Sequence, residues 1–340
     1  MAHELDFTKG QPAIAFRGNV PWHGLGAQIQ PDDDVDAIRI KAGLDYDVIK
    51  TPVMYSVPMD TAFPDRLVGR GTGIGTSKNS CVLWRSDTGA DLSVVSDKYK
   101  VVQPKQVVDF YRDLTEQFGF QLEVVGALKE GRKVWALANT GNAFQLAGND
   151  QVKGYLLLAT SYDGTMATQA RFTSIRVVCN NTLTAAGHEG RADVTVPHSA
   201  TFDADAVKRQ LKVGEAWERF RESAEAMSRR IIGKDETTGL LLSTYFGLDK
   251  AGAAEVYDTE AGKRKLDKFI ERMNKALYES PGAHLAAARG TLWGVMNAIT
   301  FDQDHQRPAR DQGNRLNASW FGEGEQIKQR AWKQALGMVA

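Results

Sequence analysis

PKQVVDFYRDLTEQFG (104–119), FQLEVVGALKEGRKVWALANTG (120–141), VKGYLLLATSYDGT (152–165) and MATQARFTSIRVVC (166–179) decide the fold. The first places Val107, Val108, Tyr111, Leu114 and Phe118 at helical intervals, with Pro104 at its start and Gly119 at its end. The second reads as a hairpin, two β-rich runs on either side of a Glu130-Gly131 turn. The third is a strand ending in an Asp163-Gly164 turn, and the fourth is another strand. NNTLTAA (180–186) then opens a helix with Asn180 or Asn181 as its cap. The expected order is helix, a meander of about four strands, helix.

Beyond residue 203 the pattern becomes helical. FDADAVKRQLKVGEAWERFRESAEAMSRRII (202–232) strings Val207, Leu211, Phe220, Ala224, Met227 and Ile231 along one stripe. GKRKLDKFIERMNKAL (262–277) repeats this through Leu266, Phe269, Ile270, Met273 and Leu277. LAAARGTLWGVMNAITF (285–301) and EQIKQRAWKQALGMV (325–339) are apolar on more sides. Upstream, Asp32, Asp33 and Asp34 supply the cap and first-turn carboxylates of a short helix at Asp34–Ala42. CVLW (81–84) and LSVVS (92–96) are strand-length runs. Strands followed by helices argue α+β: an antiparallel β-meander flanked by helices, plus a C-terminal helical region. Three regions result: 1–98, mixed and β-rich; 99–200, the helix–meander–helix core; and 201–340, helical.

Lys and Arg together number 42 and balance 42 Asp and Glu, so nucleic-acid binding has no global electrostatic sign and must rest on local patches. Two cysteines, Cys81 and Cys179, in 340 residues suit a reducing compartment. The polar N-terminus and the lack of a long apolar run lead us to expect a soluble, cytoplasmic protein.

Catalytic motifs are missing. GRGTGIGTSKN (69–79) matches neither a phosphate loop nor a dinucleotide fingerprint, because a β-like segment follows it; a flexible loop or hairpin tip fits better. Arg66, Arg70 and Lys78 flank it. The six histidines have no metal-ligand spacing, and there is no nucleophile elbow. Asp302, Asp304 and His305 cluster after an apolar helix, where a cap and solvated turn compete with a metal-dependent nuclease site. We therefore assign no catalytic residue, cofactor or metal.

The strand region does offer cations. Lys129, Arg132 and Lys133 crowd one hairpin tip, either a phosphate contact or a solvated turn. Lys153 lies on the third strand. Arg171 and Arg176 fall on opposite faces of an unbroken fourth strand, so at least one needs a carboxylate, carbonyls or a phosphate, with Asp163 the nearest acid. Trp135 and Tyr162 are the aromatic residues of a type that stacks on bases; Tyr155 and Phe172 lie near them.

TSYDGTMATQARFTSIRVVCNNTL (160–183), with PWHGLG (21–26), VVSDKYKVVQPKQ (94–106), TLWGVMNAITFDQDH (291–305) and SWFGEGEQIKQRA (319–331), resembles the phage/plasmid-like protein family that carries the domain of unknown function numbered 932. That motif often has His where this chain has Tyr162, so no acid–base role falls there. The resemblance implies an accessory protein of a phage or plasmid. The helix–meander–helix order is also similar to the core of ring-forming single-strand annealing proteins, a fold-level analogy. The resulting expectation is a non-enzymatic protein that binds and anneals single-stranded DNA as a homo-oligomer. Its phosphate contacts would be Lys129, Arg132, Lys133 and Lys153, its groove wall Arg171 and Arg176, and its stacking residues Tyr162 or Trp135. The rival expectation is an inhibitor of a host defence or replication complex that acts on a protein partner through the C-terminal helices.

Overall fold

The computed structural model describes residues 5–18, 25–58, 72–178, 181–183, 193–308 and 312–340. The N-terminal part forms β1 (Ile14–Phe16), β2 (Ala27–Gln28), α1 (Val35–Lys41), β3 (Val48–Pro58), β4 (Thr72–Arg85) and β5 (Asp91–Ser96). Asp34 caps α1 by accepting from the Ala37 N–H at 2.7 Å, as the acidic run predicts. Two helices, α2 (Pro104–Asp109) and α3 (Arg112–Phe118), lead into β6 (Gln121–Leu128), β7 (Lys133–Leu146), β8 (Asp150–Ser161) and β9 (Thr168–Arg176). Two short strands follow, β10 (Asn181–Leu183) and β11 (Asp193–Val196).

The rest is helical: α4 (Ala204–Gln210), α5 (Val213–Arg229), α6 (Lys234–Phe246), α7 (Lys250–Tyr257), α8 (Glu260–Glu279), α9 (Leu292–Phe301), a π-helical turn (Asp302–Gln306), α10 (Gln312–Phe321) and α11 (Glu323–Val339). The α+β class and the four-stranded meander read from the sequence are both present.

The meander builds the larger sheet, in the order β10-β9-β8-β7-β6-β1-β2, with β11 also paired to β9. β1 joins it by pairing with β6, so strands from the first ninety-eight residues share this sheet. A separate sheet has the order β3-β4-β5. Alternation along β8 serves two faces. Leu156 and Leu158 enter a core with Val107, Val108 and Tyr111, while Tyr155 and Leu157 enter a cluster with Trp135 and Trp320. Near the far end of the sheet, Phe172 of β9 meets Trp217 and Phe220 of α5, which carry the packing onward to Trp293 and Trp332.

Several expectations are corrected. The single helix at 104–119 is two, broken at Phe110 and Tyr111. The break sinks both rings fully into the core and points the Tyr111 hydroxyl at the Ala136 and Leu156 carbonyls, each at 2.9 Å. Burial outweighs an unbroken ladder there. Tyr111→Phe should therefore lose about 1–2 kcal/mol in urea denaturation with an unchanged m-value.

The predicted helix at 180–186 is contradicted at Asn181–Leu183, which pairs with β9; its remaining residues lie outside the described ones. The glycine stretch is strand from Thr72 onward rather than a loop. Residues 202–232 form two helices that part at Leu211, and Ile231 leaves the stripe to stand 68% exposed. Residues 285–290 are turns, and Thr291 caps the helix that follows.

Candidate nucleic-acid interface

The turn between β6 and β7 forms as the sequence predicts, with Lys129, Glu130 and Gly131 all at positive φ. Its cations do not form one exposed patch. Lys129 and Arg132 are half-buried, and Lys133 is 5% exposed. The Lys133 ammonium donates to Asn317 Oδ1 at 2.8 Å and lies over the Phe321 ring, so it holds α10 on the sheet. Lys153, half-buried, lies on β8 eight residues before Ser161, the partner of Lys133; that is about 26 Å along the strand.

The two arginines of β9 do occupy opposite faces, and both faces are covered. Arg176, 2% exposed, donates from Nε to Asp150 Oδ1 at 2.7 Å and from Nη2 to the Gly282 carbonyl at 2.9 Å. Trp293 Nε1 donates to the other Asp150 oxygen at 3.1 Å. Gly282 sits at φ +80°, and a Cβ there would stand 3.0 Å from the guanidinium, so glycine permits this close approach. Arg171, 6% exposed, donates to the Trp320 carbonyl and lies 3.6 Å from Glu325. Asp163, the acid expected to pair, instead accepts from Thr165 within its own turn.

The aromatics are equally engaged. Tyr162 is fully buried and donates to the Val102 carbonyl at 2.9 Å, and Trp135 is buried edge-on against Trp320. The expected groove of Arg171 and Arg176 with Tyr162 or Trp135 is thus corrected. A buried guanidinium is satisfied by an internal carboxylate or carbonyl, and that is where these side chains go.

Asp302 and Asp304 also separate. Asp302 meets Arg272 at 2.7 Å and the Tyr245 hydroxyl at 2.8 Å, whereas Asp304 meets Lys328 at 3.0 Å and the Thr182 N–H at 2.8 Å. His305 packs against Phe301. Among the described residues, no three ligands gather to hold a metal.

The Arg171–Glu325 and Asp304–Lys328 pairs form a polar seam under α10 and α11. Within it Asp193 of β11 lies across from Arg171, and burial, with Glu325 nearby, outweighs the guanidinium and lifts its carboxyl to about 6. A carboxyl raised above its unfolded value near 3.9 binds its proton more tightly in the folded state. Stability should therefore fall as pH rises from about 4 through 6 and stay level above. Asp193→Asn is expected to remove that slope and to add of order 2–3 kcal/mol at pH 7.5, read from denaturation series across pH.

Exposed cations collect elsewhere, on α8. Thr259 caps this helix, and Leu266, Phe269, Met273 and Ala276 turn inward. At 3.6 residues per turn, Arg264, Lys268, Glu271 and Lys275 fall opposite that stripe. Lys265 and Arg272 flank them on one side, and Lys263, Asp267 and Glu260 on the other. Lys263, Arg264, Lys265 and Lys268 are exposed. Among the described residues none of the four has a carboxylate within ion-pair distance, whereas Arg272 and Lys275 are paired to Asp302 and Glu271. Lys263 lies over the ring of Tyr257, which is 46% exposed. The Tyr257 hydroxyl donates to Asp267 at 3.2 Å, and cations beside a half-exposed ring are the residue types a single-strand surface uses. The signal was in the sequence: KRKLDK (263–268) packs four cations into six residues. The apolar stripe of residues 262–277 does not by itself point to them.

Helices cover both faces of one mostly antiparallel sheet, and the buried Arg171–Glu325 pair ties a sheet strand to α11, an α+β arrangement. The chain belongs to the family described as a domain of unknown function, DUF932, matched over residues 91–320. No curated protein and no solved structure matches it. The match runs from the start of β5 to Trp320 in α10; it includes β6–β9 and α8 and leaves out β1, β2 and α11, the helix that supplies Glu325 and Lys328.

Proposed function

We propose that this chain is an accessory protein of a phage or plasmid that binds single-stranded DNA without a catalytic step, in support of annealing during recombination or replication. The observation that carries this reading is the cation cluster around the first turns of α8, where Lys263, Arg264, Lys265 and Lys268 are exposed with no carboxylate within ion-pair distance and Lys263 lies over Tyr257. Four cations along a helix neutralise phosphates of either strand type; an exposed ring adds a preference for unstacked bases. The mobile-element association rests on the motif resemblance alone.

Fluorescence anisotropy with a labelled single-stranded oligonucleotide tests the reading. Binding at low salt that competing duplex displaces poorly is the expected result. Indifference to strand type would leave only general phosphate attraction, and no binding would remove the proposal.

A protein-binding role has its own support in the helical region, where Ile231 and Tyr278 stand 68% and 74% exposed. Pull-down from host lysate with and without nuclease separates the two readings. A nuclease-resistant partner, in a protein that fails to bind the oligonucleotide, favours an inhibitor of a host complex.

A further inference from the structure

β4 is longer than its neighbours can cover. β5 pairs only with Ser80–Trp84 of β4, and the Asn79 carbonyl accepts from the Asp97 N–H. From Thr72 to Thr76 the strand pairs on one side alone, with Pro58–Met54 of β3, beyond a bulge. Among the described residues, the other edge of β4 from Thr72 to Lys78 has no ladder partner. The result is a two-stranded ribbon, with Met54 64% exposed and Ile74 76% exposed on one face and Tyr55 54% exposed on the other. A two-stranded ribbon is marginal in water and gains most from a third strand.

The two edges of this ribbon differ. The outer edge strand, β3, contains Pro52 and Pro58, a residue type that blocks strand addition. The free stretch of β4 contains no proline and one charge, Lys78. Gly75 lies under the Tyr55 ring, where a Cβ would come within 2.6 Å, so the missing side chain lets that ring lie across the ribbon.

We infer that the free edge of β4 pairs with the same edge of a second copy of this chain, antiparallel about a two-fold axis at Gly75. That axis sets Ile74 opposite Thr76 and Thr72 opposite Lys78 of the copy, so no like charges meet and the two ribbons become one four-stranded ribbon. Self-complementarity is what selects a second copy over another extended segment. This surface lies outside the matched 91–320 and apart from α8, so it stands or falls independently of DNA binding.

Light scattering after size exclusion of the full chain, at tens of micromolar, tests the pairing. The wild type should run at twice the chain mass or a multiple of it. The double variant Ile74→Lys/Thr76→Lys puts lysine opposite lysine twice and should halve the mass, while Ile74→Lys/Thr76→Glu puts lysine opposite glutamate and should restore it. Circular dichroism confirms that both variants fold; if either does not, Lys78→Asp with Thr72→Lys and each single change replace the pair. A monomeric wild type, an unchanged mass in the lysine pair, or no recovery in the lysine–glutamate pair would each overturn the inference.

Discussion

Asp150→Ala is expected to destabilise the protein by about 3–5 kcal/mol, because it leaves a guanidinium uncompensated in the interior. Asp150 is fully buried and takes both Arg176 Nε and Trp293 Nε1, while Arg176 is 2% exposed and reaches the Gly282 carbonyl as well. Losing the carboxylate loosens the end of β8 and β9 from α9 together with the turn before it. Changing both partners should cost less than the sum of the single changes: Asp150→Leu with Arg176→Met removes the unpaired charge along with its mate. Urea denaturation of Asp150→Leu, Arg176→Met and the double variant measures this. A cost below about 1 kcal/mol for Asp150→Ala would mean that water reaches the pair.

The second large effect concerns binding. Lys263→Ala, Arg264→Ala, Lys265→Ala and Lys268→Ala combined should weaken single-strand affinity roughly 100-fold near physiological salt. All four side chains are exposed, and alanine is a strong helix former, so the folded state should change little. The matched control is Lys129→Ala with Arg132→Ala at the β6–β7 turn, expected to change affinity less than about threefold, since these half-buried side chains do not join the α8 face. Lys133 is left out of that control because it anchors α10 through Asn317.

Local pattern made the meander legible. The positive-φ turn at Lys129–Gly131, the Asp163-Gly164 turn and the alternation along β8 and β9 all obey rules that act within a few residues. The short helix at Val35–Lys41 was equally local, since Asp34 caps it. What failed depended on distant partners. The helix break at Tyr111 follows from carbonyls on β7 and β8 that lie 25 and 45 residues away. Asn181–Leu183 becomes strand because β9 offers it an edge.

The site followed the same division. The alternation rule correctly placed Arg171 and Arg176 on opposite faces, but their partners, Glu325 and Asp150, could not be read from spacing. Asp163 was the nearest acid in the chain and not the nearest in space. The α8 cations needed no long-range knowledge, because an amphipathic helix with a cation-rich outer side is visible in one window.

The most direct measurement is the salt dependence of oligonucleotide affinity for the wild type and the four-alanine α8 variant, compared side by side. For four phosphate contacts on a single strand, the logarithm of the wild-type association constant should fall against the logarithm of salt with a slope of about −3, and the variant's slope should flatten toward zero. Equal slopes in the two proteins, or a wild type that does not bind at low salt, would contradict the assignment of the nucleic-acid surface to α8.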